Sequence, residues 1–280
     1  MHPLAIYICL LRPSSPLIAQ IRTVADMAEE PLDGMVLPGG ESTAMGLIGT
    51  ASTSKGGKNV WEALREFIEI DQKPTWGTCA GMILLAERCV GASAVIQDGQ
   101  ALIGGMDILV CRNYFGSQVS SFEMPTPPPP KAENDQSYPG VFIRAPAILS
   151  AGKDVSVLGK VVATPCRQAA VVLQELERKI EAGETVVQMG LVDSLERKDS
   201  QLQYRAVVKP HGDSEEEKKD TSGEHGASIE LPGAADGSNA REVICAVQKN
   251  NLLCTAFHPE LTADHRWHQY FASMVKDAIA

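Results

Sequence analysis

The stretch KPTWGTCAGMILLAERC, residues 73–89, decides the fold because it joins a strand-like run to an apolar helical pattern through a cysteine framed by glycines. KPTWGTC predicts a strand and AGMILLAERC the helix that follows it. Gly77, Cys79 and Gly81 form G-x-C-x-G, the cysteine counterpart of the G-x-S-x-G turn that lifts a nucleophile out of a sheet. A Cβ at either glycine would crowd this turn and the helix packing behind it.

The same order of strand and helix recurs along the chain. GMVLPGG precedes ESTAMGLI, and VICAVQ and LLCTAFHPE precede ADHRWHQYFASMVKDAIA. This alternation predicts an α/β fold with three layers and a mostly parallel sheet, whose ligand crevice lies at the carboxyl ends of the strands. The stretch RQAAVVLQELERKIEAG predicts a further helix that ends near Gly183.

Length and composition restrict the class of protein. The 280 residues are 44% hydrophobic, which is enough to bury one sizeable core, and predict a single domain over residues 1–280. A net charge of -10 argues against a nucleic-acid or anionic-membrane surface, and no segment approaches the roughly 20 apolar residues of a membrane span. Seven cysteines without a CxxC pair indicate free thiols in a reducing, cytoplasmic setting.

Three polar segments interrupt the alternation and are predicted to be surface insertions. They cover residues 49–59, 125–140 and 211–240. The prolines of the second segment exclude it from helices and central strands. The charged run 211–226 is typical of a solvated, disordered segment.

A cysteine nucleophile needs a base, and the base needs an orienting group. His258 and Glu260 lie two residues apart in FHPEL, so on an extended segment their side chains share a face. At the N-terminus of a helix, the thiolate of Cys79 would be stabilised by backbone N–H groups and the helix dipole. The alternatives are a structural cysteine beside glycines and a structural histidine after a strand.

The segment PGGES, residues 38–42, follows a predicted strand and precedes a helix that begins near Thr43. Its glycines expose backbone N–H groups of the kind that stabilise an oxyanion. We expect Gly40 and Ala80 to supply these donors. Ser42 is equally suited to be the N-cap of the helix.

His258, His265 and His268 could be drawn as a metal cluster. TADHRWHQYF instead favours a helix start near Asp264, whose carboxylate suits a helix N-terminus. We therefore expect neither a metal nor a cofactor.

Five motifs occur in the same order as in one known family: LPGGEST, GTCAGMILLA, RNYFGSQVSSFE, GVFIRAP and FHPELTADHRWHQYF. Together they closely resemble the glutaminase subunit of pyridoxal 5'-phosphate synthase, a class I (triad) glutamine amidotransferase. The resemblance covers most of residues 33–163 and 243–275 and implies a flavodoxin-like sheet. It also implies hydrolysis of L-glutamine and transfer of the ammonia through a channel to a (β/α)8 synthase subunit, which makes pyridoxal phosphate (vitamin B6).

The resemblance also implies roles for individual residues. Cys79 matches the nucleophile, His258 the general base and acid, and Glu260 the group that orients the histidine. The positions that match the family's glutamine-binding residues are Gly40, Glu41, Ser42, Arg112, Ile143 and Arg144. Arginine forks suit an α-carboxylate, so the two arginines are candidates for that contact; the alternative for both is surface ion pairing.

The chain departs from the family at its N-terminus. Members begin with a strand that ends in a motif like LQGxFxEH, whereas this chain has IYICLLRPSSPLIAQIR. The glutamine of that motif, which relatives associate with the oxyanion hole, has no clear counterpart here. A second hypothesis is therefore a catalytically impaired subunit that still binds its partner, and a third is an amidotransferase domain that serves another synthase.

Overall fold

The computed structural model of the protein describes residues 21, 23–29, 32–51, 57–91, 100–116, 121–182, 190–191, 206–208, 229–232 and 239–280. Residues 4–11 of the atypical N-terminus, the charged run 211–226 and Gly183 lie outside the described residues. So do residues 52–56 of the first predicted insertion and most of residues 211–240.

The described chain alternates short helices with strands. The helices are α1 (Val24–Glu29), α2 (Ser42–Thr50), α3 (Val60–Arg65), which continues as a π-helix over Glu66–Ile70, α4 (Ala80–Leu85), α5 (Arg167–Glu181) and α6 (Arg266–Ile279), with a 3-10 turn at Pro259–Leu261. The strands are β1 (Met35–Leu37), β2 (Thr75–Thr78), β3 (Ala86–Val90), β4 (Gln100–Ala101), β5 (Met106–Cys111), β6 (Ser121–Thr126), β7 (Tyr138–Ile143), β8 (Ala147–Ala151), β9 (Ser156–Ala163), β10 (Gly190–Leu191), β11 (Ala206–Val208), β12 (Ile229–Leu231), β13 (Arg241–Lys249) and β14 (Leu252–Thr255).

One eight-stranded sheet organises these elements. Its order is β1-β2-β14-β13-β8-β5-β3, and β9 pairs with β13 beside this path. The pairs β1 with β2, β2 with β14 and β3 with β5 are parallel, whereas β13 and β8 run antiparallel to their neighbours. The α/β class predicted from the sequence is confirmed, and its parallel β1-β2-β14 part carries the candidate site. The alternation of strands and helices in the sequence did not predict the antiparallel pairings of β13 and β8.

Helices cover both faces of the sheet at β2. Trp76 packs against Phe271 and His268 of α6, with ring centroids 5.6 and 5.4 Å away. A Cβ on the next residue, Gly77, would lie 2.6 Å from the backbone of Gly81 in α4. Because consecutive side chains of a strand point to opposite faces, α6 and α4 lie on opposite sides of the sheet. This is the three-layer arrangement predicted from the sequence.

The helix of the opening stretch is shorter than predicted. It ends at Leu85, and the AERC part of the stretch belongs to β3. Ala86 has ψ of 144°, which takes the backbone out of the helical region, and β3 then pairs with β5. The apolar run therefore serves two elements in succession, and this explains why its periodicity alone predicted a single helix.

The proline-rich segment forms the turn of a hairpin made by β6 and β7, with Pro125 opposite Pro139. The two strands pair only with each other, so the prolines stay out of the main sheet as predicted. The prediction of a surface insertion was wrong for Tyr138, whose side chain is fully buried against Phe257 and Trp267.

Among the described residues, none of the helices has the length and hydrophobicity needed to span a membrane.

Candidate active site

Cys79 lies at the turn between β2 and α4, at the carboxyl end of a central strand. Its backbone has φ of 49° and ψ of -104°, a conformation that non-glycine residues rarely adopt. Its N–H donates to Thr255 O at 2.8 Å, which ties the turn to the end of β14. The turn therefore holds the cysteine in a strained geometry like that of a nucleophile elbow.

Two glycines make this turn possible. A Cβ on Gly81 would overlap the main-chain oxygen of Leu37 in β1, and a Cβ on Gly77 would lie 2.6 Å from Gly81 O. Both neighbours are backbone atoms, which cannot rotate away. The crowding predicted from the sequence is thus present at both positions.

The structure brings His258 and Glu260 to Cys79. His258 hydrogen-bonds the Cys79 side chain, and its Nδ1 lies 2.7 Å from Glu260 Oε1. The other ring nitrogen, Nε2, is therefore the one available to the thiol. Residues separated by 179 positions in sequence meet because β2 and β14 are parallel neighbours that end at the same edge.

The electrostatics of the three residues follow from these contacts. Burial acts to lower the pKa of His258, but the hydrogen bonds with Cys79 and Glu260 outweigh it and raise this pKa to about 10. Burial acts to raise the pKa of Glu260, but the bond with His258 holds it below its ordinary value. At neutral pH the pair is an imidazolium and a carboxylate.

The loop before α2 lies against the same histidine. A Cβ on Gly39 would overlap Cε1 of His258 and lie 3.0 Å from its Nδ1, so only glycine leaves room for the ring. The N–H of Gly81 donates to Pro38 O at 3.1 Å, which places this loop beside the start of α4. The predicted oxyanion donors at Gly40 and Ala80 thus belong to two adjoining segments.

The N-cap of α2 is Glu41, so the alternative that Ser42 caps this helix is wrong, while glutamine binding by Ser42 stays a prediction. The Glu41 carboxylate accepts from the N–H groups of Thr43 at 3.2 Å and Ala44 at 2.7 Å. A carboxylate satisfies two donors at once, which a serine hydroxyl does less well. Ser42 is instead the first residue of the helix and is buried.

Arg112 follows β5 and reaches the same loop. Its Nη2 donates to Thr43 Oγ1 at 2.9 Å and lies 3.8 Å from Glu41 Oε1. The side chain is only 8% exposed, so surface ion pairing does not describe it. The guanidinium is directed at the N-terminus of α2, next to the loop that packs on His258.

The other predicted binding residues, Ile143 and Arg144, come at the end of β7. Arg144 has φ of 47°, and the next residue, Ala145, accepts a hydrogen bond from Phe115 N at 3.3 Å. The turn that starts at Arg112 is therefore adjacent to Arg144. On the same strand, Val141 O accepts from His258 N at 2.8 Å.

Gly39, Thr43 and Tyr138 are residues of this site that the sequence reasoning missed. Gly39 was visible in PGG, but its glycines were interpreted only as sources of backbone N–H groups. Thr43 lies in the quoted LPGGEST motif, and Tyr138 lies in the segment assigned to the surface. Tyr138 lies two residues before the GVFIRAP motif, but this position does not indicate which residues it contacts.

Within the described ranges, no group of three or more histidine, cysteine, aspartate or glutamate residues could hold a metal ion. A shallow cavity of about 300 Å³ lies at the start of β14, opposite the Cys79 end. Its lining includes Gly105, Asn250 and Leu252 but none of the predicted site residues. This cavity is therefore separate from the candidate active site.

Comparison with known proteins points to one family. The model of the SNO glutamine amidotransferase family matches residues 4–177. The probable pyridoxal 5'-phosphate synthase subunit PDX2 of Arabidopsis thaliana is 35% identical over 249 residues, which are 88% of this chain and 72% of the relative. The probable pyridoxal 5'-phosphate synthase subunit pdx2 of Dictyostelium discoideum is 30% identical over 93% of this chain and 78% of its own.

A solved structure described as a crystal structure of glutamine amidotransferase has a similar fold. The TM-score is 0.53 at 24% sequence identity, and the likeness covers 92% of this chain and 86% of that one.

Proposed function

Because this chain belongs to the SNO glutamine amidotransferase family, we propose that it hydrolyses L-glutamine to glutamate and ammonia for pyridoxal 5'-phosphate synthesis. The observation that carries the proposal is the hydrogen-bonded line from Cys79 through His258 to Glu260. A nucleophile, a base and an orienting carboxylate in this order are what amide hydrolysis through an acyl-enzyme requires. Relatives named as pyridoxal 5'-phosphate synthase subunits support a role in pyridoxal 5'-phosphate synthesis.

In the first half-reaction, the Cys79 thiol has passed its proton to Nε2 of His258, and the sulfur attacks the side-chain amide carbon of glutamine. A carbon–sulfur bond forms, and the carbonyl oxygen becomes an oxyanion that accepts from the N–H groups of Gly40 and Ala80. His258 then gives its proton to the amide nitrogen, the carbon–nitrogen bond breaks and ammonia leaves. The raised pKa of His258 means that this proton is already on the imidazole before glutamine arrives.

In the second half-reaction, water attacks the thioester while His258 takes one of its protons. The carbon–sulfur bond breaks, glutamate leaves and the sulfur of Cys79 is restored. Glu260 keeps Nδ1 of the imidazole in place through both halves, so that Nε2 always faces the sulfur. Glutamine and water are thereby converted to glutamate and ammonia.

We assign substrate recognition to the loop before α2 and to the residues that follow β5 and β7, which together form the binding rim. Arg112 and Arg144 would bind the α-carboxylate of glutamine, because guanidinium groups pair well with carboxylates. The loop of Gly40, Glu41 and Ser42, together with Ile143, would hold the rest of the substrate. The bond between Phe115 N and Ala145 O supports a common binding edge for the two arginines.

We assign the ammonia to a synthase partner with a (β/α)8 barrel, in a cytoplasmic complex. The six cysteines among the described residues are free, as a reducing compartment allows. Cys79 is only 6% exposed, so glutamine needs an opening of the surrounding loops to reach it. Contact with the partner is the event proposed to open them and complete the site.

Glutamate release, measured with and without the barrel partner, tests the function. The expected result is release that increases when the partner is added and that disappears in Cys79→Ala. Binding of the partner without any release by the wild-type chain would contradict the enzyme and support the impaired-subunit hypothesis. Ammonia incorporation into pyridoxal phosphate, compared with other acceptors, tests which synthase the chain serves.

A further inference from the structure

The segment that carries His258 and Glu260 is attached to the β6-β7 hairpin at several points. The N–H of His258 donates to Val141 O at 2.8 Å. Three residues earlier on β7, the hydroxyl of Tyr138 lies 3.5 Å from Pro259 O and 3.1 Å from Thr262 Oγ1. Pro259 is the single residue between the histidine and the glutamate, so the hydroxyl contacts the backbone that sets their relative position.

The far end of the same segment is fixed to the turn of the hairpin. Arg266 donates to Gln136 O at 2.6 Å and to Ser137 O at 2.9 Å. It also pairs with Asp264 at 2.6 Å and lies 5.8 Å from the centre of the Tyr138 ring. The residues from 258 to 266 are therefore held along the hairpin at both ends.

The ring of Tyr138 has a packing role that can be separated from its hydroxyl. The ring packs 5.5 Å from Phe257 and 6.4 Å from Trp267, between centroids. Burial raises the pKa of Tyr138 to about 12, so the hydroxyl keeps its proton at neutral pH. Replacement by phenylalanine removes the hydroxyl and keeps the ring.

We propose that Tyr138 is a positioning residue, whose hydroxyl holds the Pro259 to Thr262 turn so that Glu260 meets Nδ1 of His258 and Nε2 meets the sulfur of Cys79. This inference rests on the proposed glutaminase function for its rate effect. The effect of Tyr138 on the distance between His258 and Glu260 can be measured in the free chain, without glutaminase activity. The hairpin is therefore part of the catalytic framework and not a surface insertion.

Tyr138→Phe tests the proposal, with Tyr114→Phe as the matched control. Tyr114 is also fully buried, and its hydroxyl donates to Ala163 O at 3.2 Å on β9. Tyr114→Phe loses one buried hydrogen bond, whereas Tyr138→Phe loses the contacts of a hydroxyl that also reaches Asp264 O at 3.3 Å. We expect Tyr138→Phe to lose more stability, and urea unfolding of both variants measures the difference. Only Tyr138→Phe is expected to lower kcat, by about tenfold, because small misplacements of reacting groups are costly.

Two readouts separate positioning from simple destabilisation. The first is the split between kcat and KM, with KM for glutamine expected to stay within about twofold in Tyr138→Phe because Arg112 and Arg144 remain in place. The second is the titration of the His258 ring in the free chain, followed by NMR. The titratable groups facing this ring are Cys79 and Glu260, and a displaced Glu260 would lower its pKa.

A Tyr138→Phe chain that keeps the wild-type kcat and His258 titration overturns the proposal, as does an equal loss of kcat in Tyr114→Phe. Thr262→Val serves if Tyr138→Phe does not fold. It removes the Oγ1 that meets the Tyr138 hydroxyl, together with the bonds of this Oγ1 to the main chain of Asp264, and is likewise expected to lower kcat. If the wild-type chain shows no glutaminase activity even with its partner, the proposed function fails. The His258 titration still decides the positioning role in that case.

Discussion

Cys79 and His258 meet at one edge of the sheet, but the chain holds them in different ways. Cys79 is fixed by its own neighbours, because β2, the strained turn and the glycine-packed start of α4 span only a few residues. His258 is held by Glu260, two residues away, and also by groups far away in sequence. Val141 O accepts from its N–H, and the ring lies against Gly39. A nucleophile built into a local turn tolerates little change in the backbone, whereas a base held by tertiary contacts can be displaced without unfolding the chain.

The largest expected effect on activity comes from replacing Cys79, the residue held by its neighbours in sequence. Cys79→Ala should reduce glutamate release by a factor on the order of 10⁵, because the proposed acyl-enzyme forms on the Cys79 sulfur. Cys166→Ala is the control, since Cys166 is also a free, described cysteine but lies at the start of α5. Comparable activity in the two variants would remove Cys79 from the mechanism.

Two glycine substitutions test the difference between local and tertiary support. In Gly81→Ala the new Cβ meets the main chain of Leu37, which cannot give way, so the free energy of unfolding should fall by about 1–3 kcal/mol. In Gly39→Ala the Cβ meets the ring of His258, which can swing aside. We expect a rate loss on the order of 10² with little change in stability.

Urea unfolding and glutaminase assays on both variants measure this contrast. A Gly39→Ala chain that is fully active would show that the imidazole does not need its observed position. Equal losses of stability in the two variants would show that the two regions are supported in the same way.

Glu260→Gln tests how much the Glu260 carboxylate contributes to the pKa of His258. Burial lowers the pKa of His258 and the Glu260 carboxylate is one of the two groups that oppose it, so the variant should have a lower His258 pKa than the wild-type value of about 10. NMR titration of the ring measures the change. Glu242→Gln is the control, because both glutamate side chains are 47% exposed and Glu242 pairs with Lys160 instead.

The same contacts make stability depend on pH in a defined direction. The folded-state pKa of His258 lies above its ordinary value of 6.5, so its stabilising contribution is complete below pH 6.5 and is lost as the pH rises towards about 10. The fall in unfolding free energy over this range should be smaller in Glu260→Gln than in the wild type. An unchanged fall would mean that Glu260 does not support the protonated ring.

The smallest expected effect concerns the binding rim. Thr43→Val keeps the shape of the side chain but removes the oxygen that accepts from Arg112 Nη2. The loss of one such bond predicts a rise of roughly threefold to tenfold in KM for glutamine, with kcat nearly unchanged. Thr50→Val on the same helix is the control, because its hydroxyl bonds only within α2, and an equal rise there would argue against an Arg112-specific effect.

The difference between the two regions also explains what the sequence revealed. The turn at Cys79 was predicted in detail because its glycines, its cysteine and its helix are adjacent in the chain. The pairing of His258 with Glu260 was predicted from an extended segment. The two side chains do meet, but Pro259–Leu261 forms a 3-10 turn, so the extended geometry was wrong. Both predictions needed only local geometry.

Contacts formed across the fold could not be predicted in the same way. Nothing local to Gly39 indicates that an imidazole from residue 258 will lie against it, and nothing local to Tyr138 indicates that its hydroxyl will reach Pro259. Ser42 was considered as a possible N-cap of α2 because serine is a common cap, but the geometry of the loop gives that role to Glu41. The antiparallel joins at β13 and β8 likewise depend on pairings between distant strands.

The most direct test of the central claim is covalent labelling of the chain with a glutamine analogue that carries a diazoketone in place of the side-chain amide. The predicted result is one adduct, located on Cys79 by peptide mapping, suppressed by excess glutamine and lost in His258→Asn. Burial raises the pKa of the Cys89, Cys111 and Cys245 thiols to about 12, so these should stay unlabelled. Labelling that spreads over other cysteines, or that glutamine does not suppress, would contradict a glutamine site built on Cys79 and His258.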